Sequence, residues 1–459
     1  MHPNQSAAMR QRVLDQANRI DNSGFYNLLT GPQLLDQVAA LVPAHRERAF
    51  PPTETLAMFM TQALSADGRC RQVVDEAAVA RVIAGLPPYS TNTSAYCQAR
   101  ARLPLPMITT LTRHTGGLVT DGAPAGWHWQ NRRVRLVDGA TMTLADTPEN
   151  QAEYPQSKSQ KAGLGFPIGR MVVLLCLATG AVLDAAIGPC VGKGSDEQTL
   201  LRALLETLLQ GEILLGDAYY PTYFLLCELV RRGVDGVFEQ YGARQRRTDF
   251  RLGEWLGVRD HLIVLPKPKK PDWMSQEDYA QAPDTLTVRE FKAGGKIMVT
   301  TFLCPKEAPK SILKVLYRRR WNIELDLRNI KTTLGMEKLR CKTPEMAIKE
   351  LWVYLLAYNL IRLLMAQAAL LADQVPRQLS FKHTVQIWVS WQQRGGGTHD
   401  AVVIRALLVL IAEPRVGLRP GRIEPRALKR RQKSYPLLTK PRRIAQEEVR
   451  KNGHPKKQR

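Results

Sequence analysis

Apolar residues recur at helical spacing through Leu34–Leu41, Leu56–Leu64 and Val73–Ile83, so residues 1–125 read as a helical N-terminal domain. Pro51-Pro52 and Pro87-Pro88 punctuate its segments. Ser90–Ser94 then offers a run of helix-capping residues. It leads into Ala95–Leu103, which carries Tyr96, Gln98, Arg100 and Arg102. A short helix, a turn and a basic polar helix fit a helix-turn-helix reader of DNA, with Arg100 and Arg102 making contacts. They equally fit an ordinary solvated face, and the pattern leaves both open.

After the Gly/Ala/Pro-rich connection Gly116–Gly126 the pattern changes to strands. Val134–Val137 predicts a strand ending at the turn pair Asp138-Gly139, with Thr141–Leu144 continuing as a second strand. A polar stretch, Asp146–Gly165, precedes the nearly continuous apolar run Met171–Ala178, and Thr179-Gly180 turns it into Ala181–Ile187. Ser195–Leu209 reads as an amphipathic helix opened by a Ser195/Gln198 capping box. Glu212–Leu215 is a short strand delivering Gly216-Asp217, Pro221–Arg232 a helix and Val234–Phe238 a further strand. Three antiparallel strands followed by alternating helices and strands is the order of a ribonuclease H-like α/β fold, which by itself does not fix function. The expected last helix is delayed. Residues 241–309 carry the strand-like runs His261–Leu265, Thr285–Arg289 and Lys296–Leu303 and read as a β-rich insertion.

From Lys310 to Gly335 a long helical pattern follows. Leu316, Ile323, Leu327, Ile330 and Leu334 form its apolar seam. Beside the seam, Tyr317, Arg320, Glu324 and Lys331 project within a stripe of about 60° at roughly 100° per residue. The predicted layout is thus a helical domain over 1–125, a core over 126–240, a β-rich insertion over 241–309, the rest of the core over 310–375 and a basic region over 376–459.

Charge sharpens this picture. The chain of 459 residues has 65 Lys and Arg against 42 Asp and Glu, a formal net charge of +23, which calls for a polyanionic partner. Just over half of the excess lies in Arg415–Arg459, where pairs such as Arg430-Arg431 and Lys456-Lys457 fit phosphate contacts better than a solubilising tail. The seven cysteines show no metal-ligand spacing and read as reduced thiols. No uninterrupted apolar run has bilayer-spanning length and Met1–Asp21 lacks a signal-peptide core, so the expected location is the cytoplasm, at the bacterial nucleoid, with no membrane partner.

Three acids carry the candidate chemistry. Asp138 and Asp217 each end a predicted strand, where open α/β sheets gather functional residues, and Glu324 lies on the packed helix. Carboxylates converging in a dry pocket repel unless cations sit between them, and hard oxygen ligands select Mg²⁺ or Mn²⁺. Asp146, Asp184 and Asp196 compete but fit turns or caps better.

The sequence resembles the DDE-class insertion-sequence transposases that carry a Tyr-x2-Arg-x3-Glu-x6-Lys signature, the family of the fourth-named bacterial insertion sequence. The signature stands complete at Tyr317, Arg320, Glu324 and Lys331, with Asp138-Gly139 and Gly216-Asp217 in order upstream. Asp146–Asn150 and Leu339–Pro344 are similar to family stretches, and the resemblance covers about Tyr96 to Ala368. It implies two-metal hydrolysis at transposon ends of double-stranded DNA, then strand transfer into target DNA by the freed 3′-hydroxyl. It also implies a homodimer in the DNA complex, and phosphate contacts by Tyr317, Arg320 and Lys331. Relatives use a hairpin intermediate with a flipped base stacked on a tryptophan of the insertion. Here Trp255 and Trp273 are the candidates, each of which also fits ordinary packing. A ribonuclease H-like nuclease without integration, and a catalytically silent DNA-binding derivative, are the competing readings.

Overall fold

Strand β1 (Val134–Thr143) runs straight through Asp138-Gly139, with no turn there. It pairs antiparallel with β2 (Ile168–Cys176), placing Asp138 opposite Val173, and parallel with β4 (Ile213–Gly216). The expected two strands are therefore one, because ladder bonds continue on both sides of Gly139 and absorb the Asp-Gly pair into the sheet. With β3 (Val182–Pro189), β5 (Asp235–Glu239), β6 (Glu254–Gly257), β7 (Asp260–Pro266), β8 (Thr285–Ala293) and β9 (Lys296–Thr300), the strands form one nine-stranded mixed sheet. Its order is β3-β2-β1-β4-β5-β9-β8-β7-β6. The computed structural model describes residues 40–41, 50–65, 67–83, 85–192, 194–240, 247–393, 401–416 and 438–453. Most of Leu34–Leu41 and much of the basic tail lie outside these residues.

The run Met171–Cys176 is continuously apolar because helices cover both faces of β2. Met171, Val173 and Leu175 join the larger core, while Val172 and Leu174 join a second core against α6 (Glu197–Arg202) and α7 (Tyr223–Arg231). Helix α6 is shorter than expected. Its cap is Asp196, whose carboxylate accepts from Thr199 N at 3.0 Å, and Ser195 instead donates to Gly192 O. Asp184 caps nothing either: it sits buried on β3, paired with Arg113 at 2.8 Å.

The larger core forms around α11 (Pro344–Leu371), which is apolar on nearly all sides. This helix has membrane-spanning length and composition, but 83% of its apolar window is buried inside the protein, as in a core helix. Asn359 knots it to its neighbours. Its side chain accepts from Val182 N at 2.8 Å and donates to Val182 O and to Thr112 O of α4 (Leu105–Asp121). Close approach of α4 needs Gly116, where a Cβ would fall 2.0 Å from Val182 O.

Helices α1 (Pro52–Leu64), α2 (Cys70–Ile83) and α3 (Ser94–Arg102) precede α4. Leu56, Phe59 and Ala63 of α1 pack into the larger core. The segment 84–93 between α2 and α3 is too long for the tight three- or four-residue turn of a helix-turn-helix. The segment after β5 is not a separate sheet: β9 returns antiparallel to β5 and extends the same sheet outward through β8, β7 and β6. Arg289, fully buried there, holds Asp260 through two bonds of 2.8 and 2.6 Å.

Candidate active site

The expected single helix over Lys310–Gly335 is four pieces. Helix α9 (Lys310–Arg318) tightens into a 3₁₀ turn at Arg319–Trp321, resumes as α10 (Asn322–Arg328) and widens into a π turn at Asn329–Thr333. Leu334 N donates to Asn329 O at 3.0 Å, the i→i+5 bond that marks the wide turn. A uniform 100° step therefore misplaces Tyr317 and Lys331 relative to Glu324. The buried Asp326 fixes α10 in place. It accepts from Arg362 of α11, and from Arg377 Nη1 at 2.7 and 2.6 Å. Arg362 Nε also donates to Tyr358 Oη at 2.8 Å, and Tyr358 donates to Gly180 O.

So anchored, α10 turns Glu324 toward β1. Arg320 stands between them, 3.3 Å from Glu324 Oε1 and 3.9 Å from Asp138 Oδ2. Asp138 Oδ1 accepts from its neighbour Gly139 N at 2.9 Å. Asp217, just past β4, accepts from Tyr219 N at 2.8 Å. Because β4 lies parallel beside β1, with Leu215 opposite Leu136, the end of β4 comes level with Asp138 while β1 runs on to Thr143. Burial pushes the Asp138 carboxyl up to about 6; the charges of Asp217 and Glu197 push the same way, against the Gly139 amide and Arg320. Burial also raises the Tyr317 hydroxyl to about 12, against the Arg320 charge and the Glu239 backbone beside it.

Among the described residues, no three Asp, Glu, His or Cys side chains stand close enough as arranged to hold a metal ion. The donor chemistry nevertheless fits one. The groups are carboxylate oxygens, Asp138 is raised by burial first and by the charges of Asp217 and Glu197 after it, and a guanidinium occupies the gap between Asp138 and Glu324.

Other expected site residues lie elsewhere. Arg100 is 7% exposed; its guanidinium donates to Gln62 Oε1 at 3.2 Å and stacks on the Phe59 ring at 4.7 Å. It is a packing residue of the helical segment and turns no charge outward. Arg102, at the end of α3, is exposed. Trp255 is 71% exposed on β6, the sheet's far edge. Trp273 is half exposed, with the Arg202 guanidinium 3.8 Å from its ring centre. It lines a cleft of about 650 Å³ that also reaches Tyr220, Arg202 and Phe224. Neither tryptophan is core-packed. Sequence reasoning missed Asp326 and Glu197, and noted Tyr220 only as lying near the Gly216-Asp217 pair. The burial of Tyr220 had no periodic signal, and Glu197 was hidden as the first residue of a short helix.

The sequence profile of a family described as the transposase DDE domain matches residues 129–360. The chain is 26% identical over 454 residues to a protein of Escherichia coli K12, the transposase InsG for insertion sequence element IS4, covering 96% of this chain and 99% of that one. A solved structure, the piggyBac transposase synaptic complex with hairpin DNA, is 10% identical with a TM-score of 0.42, covering 88% of this chain and 87% of that one.

Proposed function

The chain belongs to the DDE-domain transposases, enzymes that cleave DNA and transfer strands and whose family chemistry uses divalent metal, and on that premise we propose that Asp138, Asp217 and Glu324 are its metal-binding catalytic acids. The observation that carries this is the Arg320 guanidinium held between Asp138 and Glu324, which links the helix acid to the strand acid. In this reading, β1 through β5 with α10 and α11 make a ribonuclease H-like core, 241–309 is its β-rich insertion, 1–125 its helical arm and 376–459 its basic end.

Bound Mg²⁺ or Mn²⁺ ions supply an activated oxygen nucleophile and stabilise the leaving one. The chain's own groups do the rest. Asp138, Asp217 and Glu324 hold and orient the cations. Arg320 and Lys331 bind phosphate oxygens at the cleaved end, and the buried Tyr317 hydroxyl donates to a third. The substrate is double-stranded DNA, transposon ends and then target. Two copies act together, each serving one end, in the cytoplasm at the nucleoid. A hairpin with a flipped base fits best at Trp273, whose cleft continues to Tyr220; stacking worth about 1–3 kcal/mol per base would partly offset the flipping cost. Trp255 and Arg102 remain as outer DNA contacts.

The test is an in-vitro reaction of the purified protein with paired transposon ends and a target plasmid in Mg²⁺. Joined products are expected. Cleaved ends that never join would favour the nuclease reading, and binding without cleavage would favour the silent one.

A further inference from the structure

A fourth carboxylate reaches β1 beside Asp138 from the other face of the sheet. Asp138 and Gly139 are successive residues of β1 and so present opposite faces of the sheet. Gly139 has no side chain, and Glu197 occupies the room. A Cβ at Gly139 would fall 2.2 Å from the Glu197 carboxyl carbon and 2.3 and 2.5 Å from its oxygens. The φ of Gly139 is not in the left-handed region, so the turn chemistry of an Asp-Gly pair does not explain this glycine. Space for Glu197 does.

Glu197 is not left to find its own place. It opens α6, immediately after the Asp196 cap, so the helix start aims it at β1. The buried Tyr220 donates its hydroxyl to Glu197 Oε2 at 3.0 Å. Tyr220 is itself seated against Gly216, where a Cβ would fall 2.9 Å from its ring. Two glycines, each next to one proposed metal-binding aspartate, thus make room for one Glu–Tyr pair where β4 ends beside the middle of β1. Burial raises the Tyr220 hydroxyl well above its ordinary value, and the negative charges of Glu197, Asp138 and Asp217 push it the same way. An ordinary surface glutamate needs neither a glycine cut into a central strand nor a buried tyrosine to hold it.

We infer that Glu197, held by Tyr220 through the gap at Gly139, is a fourth carboxylate for the divalent cation of the active site. This rests on the assignment of Asp138, Asp217 and Glu324 above. Its effect is to add negative charge on the side of Asp138 away from Arg320, so that cation binding does not depend on the three other acids alone.

The experiment measures Mn²⁺ binding to the full chain by paramagnetic resonance of the free ion, with no DNA present. It compares wild type, Glu197→Gln, Gly139→Ala and Asp138→Asn. Glu197→Gln keeps an oxygen for the Tyr220 hydroxyl and removes only charge. It is expected to weaken Mn²⁺ binding by about tenfold or more, the scale seen when groups supporting a metal site are removed. Its melting temperature and its affinity for end DNA in EDTA should match wild type. Gly139→Ala, which displaces Glu197, should weaken Mn²⁺ in the same direction. Wild-type Mn²⁺ affinity in Glu197→Gln, with Asp138→Asn impaired, would make Glu197 a structural residue and overturn the inference while leaving the three acids standing. Wild-type affinity in Asp138→Asn as well would instead sink the assignment on which the inference rests. Should Glu197→Gln fail to fold, unaltered Mn²⁺ affinity in Gly139→Ala overturns the inference equally.

Discussion

The Arg320 guanidinium lies 3.9 Å from the Asp138 carboxylate, bridging a helix and a strand far apart in the chain. The same guanidinium is 3.3 Å from Glu324, so one cation touches two of the proposed metal-binding acids.

Replacing it is therefore informative. Arg320→Ala should lower single-turnover cleavage of end DNA by about 10²-fold, the usual cost of losing one charged donor at a reacting centre. DNA binding in EDTA should fall only slightly. A cleavage rate within twofold of wild type would show that Arg320 only balances charge.

The raised Asp138 carboxyl has a signed consequence for stability. Its folded pKa of about 6 exceeds the ordinary carboxylate value of 3.8, so its contribution is fully present below about pH 4 and is lost as pH rises through 6. In metal-free protein, Asp138→Asn should thus gain on wild type between pH 4 and pH 8, by on the order of 1–3 kcal/mol. Urea denaturation at the two pH values measures this. A constant difference between the proteins would contradict it.

The three proposed acids were singled out in the sequence by signature spacing and by predicted strand ends, although β1 in fact runs on past Asp138 to Thr143. Their support was not. Asp326, two residues from Glu324, looks like a second helix-surface acid until Arg362 and Arg377 arrive from residues 36 and 51 positions away. The breaks at Arg319–Trp321 and Asn329–Thr333 left no mark on the apolar seam, because Ile323, Leu327 and Ile330 stay buried across them. Asp138-Gly139 read as a turn because Asp-Gly favours one locally. Ladder pairing to β2 and β4, a tertiary effect, overrides that preference. Arg100 read as either a DNA contact or part of a solvated face, because both readings assume that its charge is exposed. Gln62 and Phe59, some 40 residues upstream, draw it inward.

Asp326→Ala should accordingly destabilise the fold by about 3–5 kcal/mol, since it leaves two guanidinium groups uncompensated beside the core. Chemical denaturation gives the value. A loss below 1 kcal/mol would mean that α10 is anchored by its apolar residues alone.

Arg100 and Arg102 should separate cleanly. Arg100→Ala should lower the melting temperature and leave the salt dependence of DNA binding unchanged. Arg102→Ala should do the reverse, flattening the slope of log affinity against log salt by up to about one unit. Filter binding across a salt series distinguishes them, and equal slopes for both variants would remove Arg102 from the DNA surface.

The most direct test of the three-acid site is Mg²⁺-dependent cleavage of end DNA by Glu324→Gln, measured beside its DNA affinity in EDTA. The expected result is cleavage reduced by at least about 10³-fold with affinity within a few-fold of wild type. Cleavage at the wild-type rate would show that Glu324 is not at the metal site and that the convergence of strand and helix acids has been misassigned.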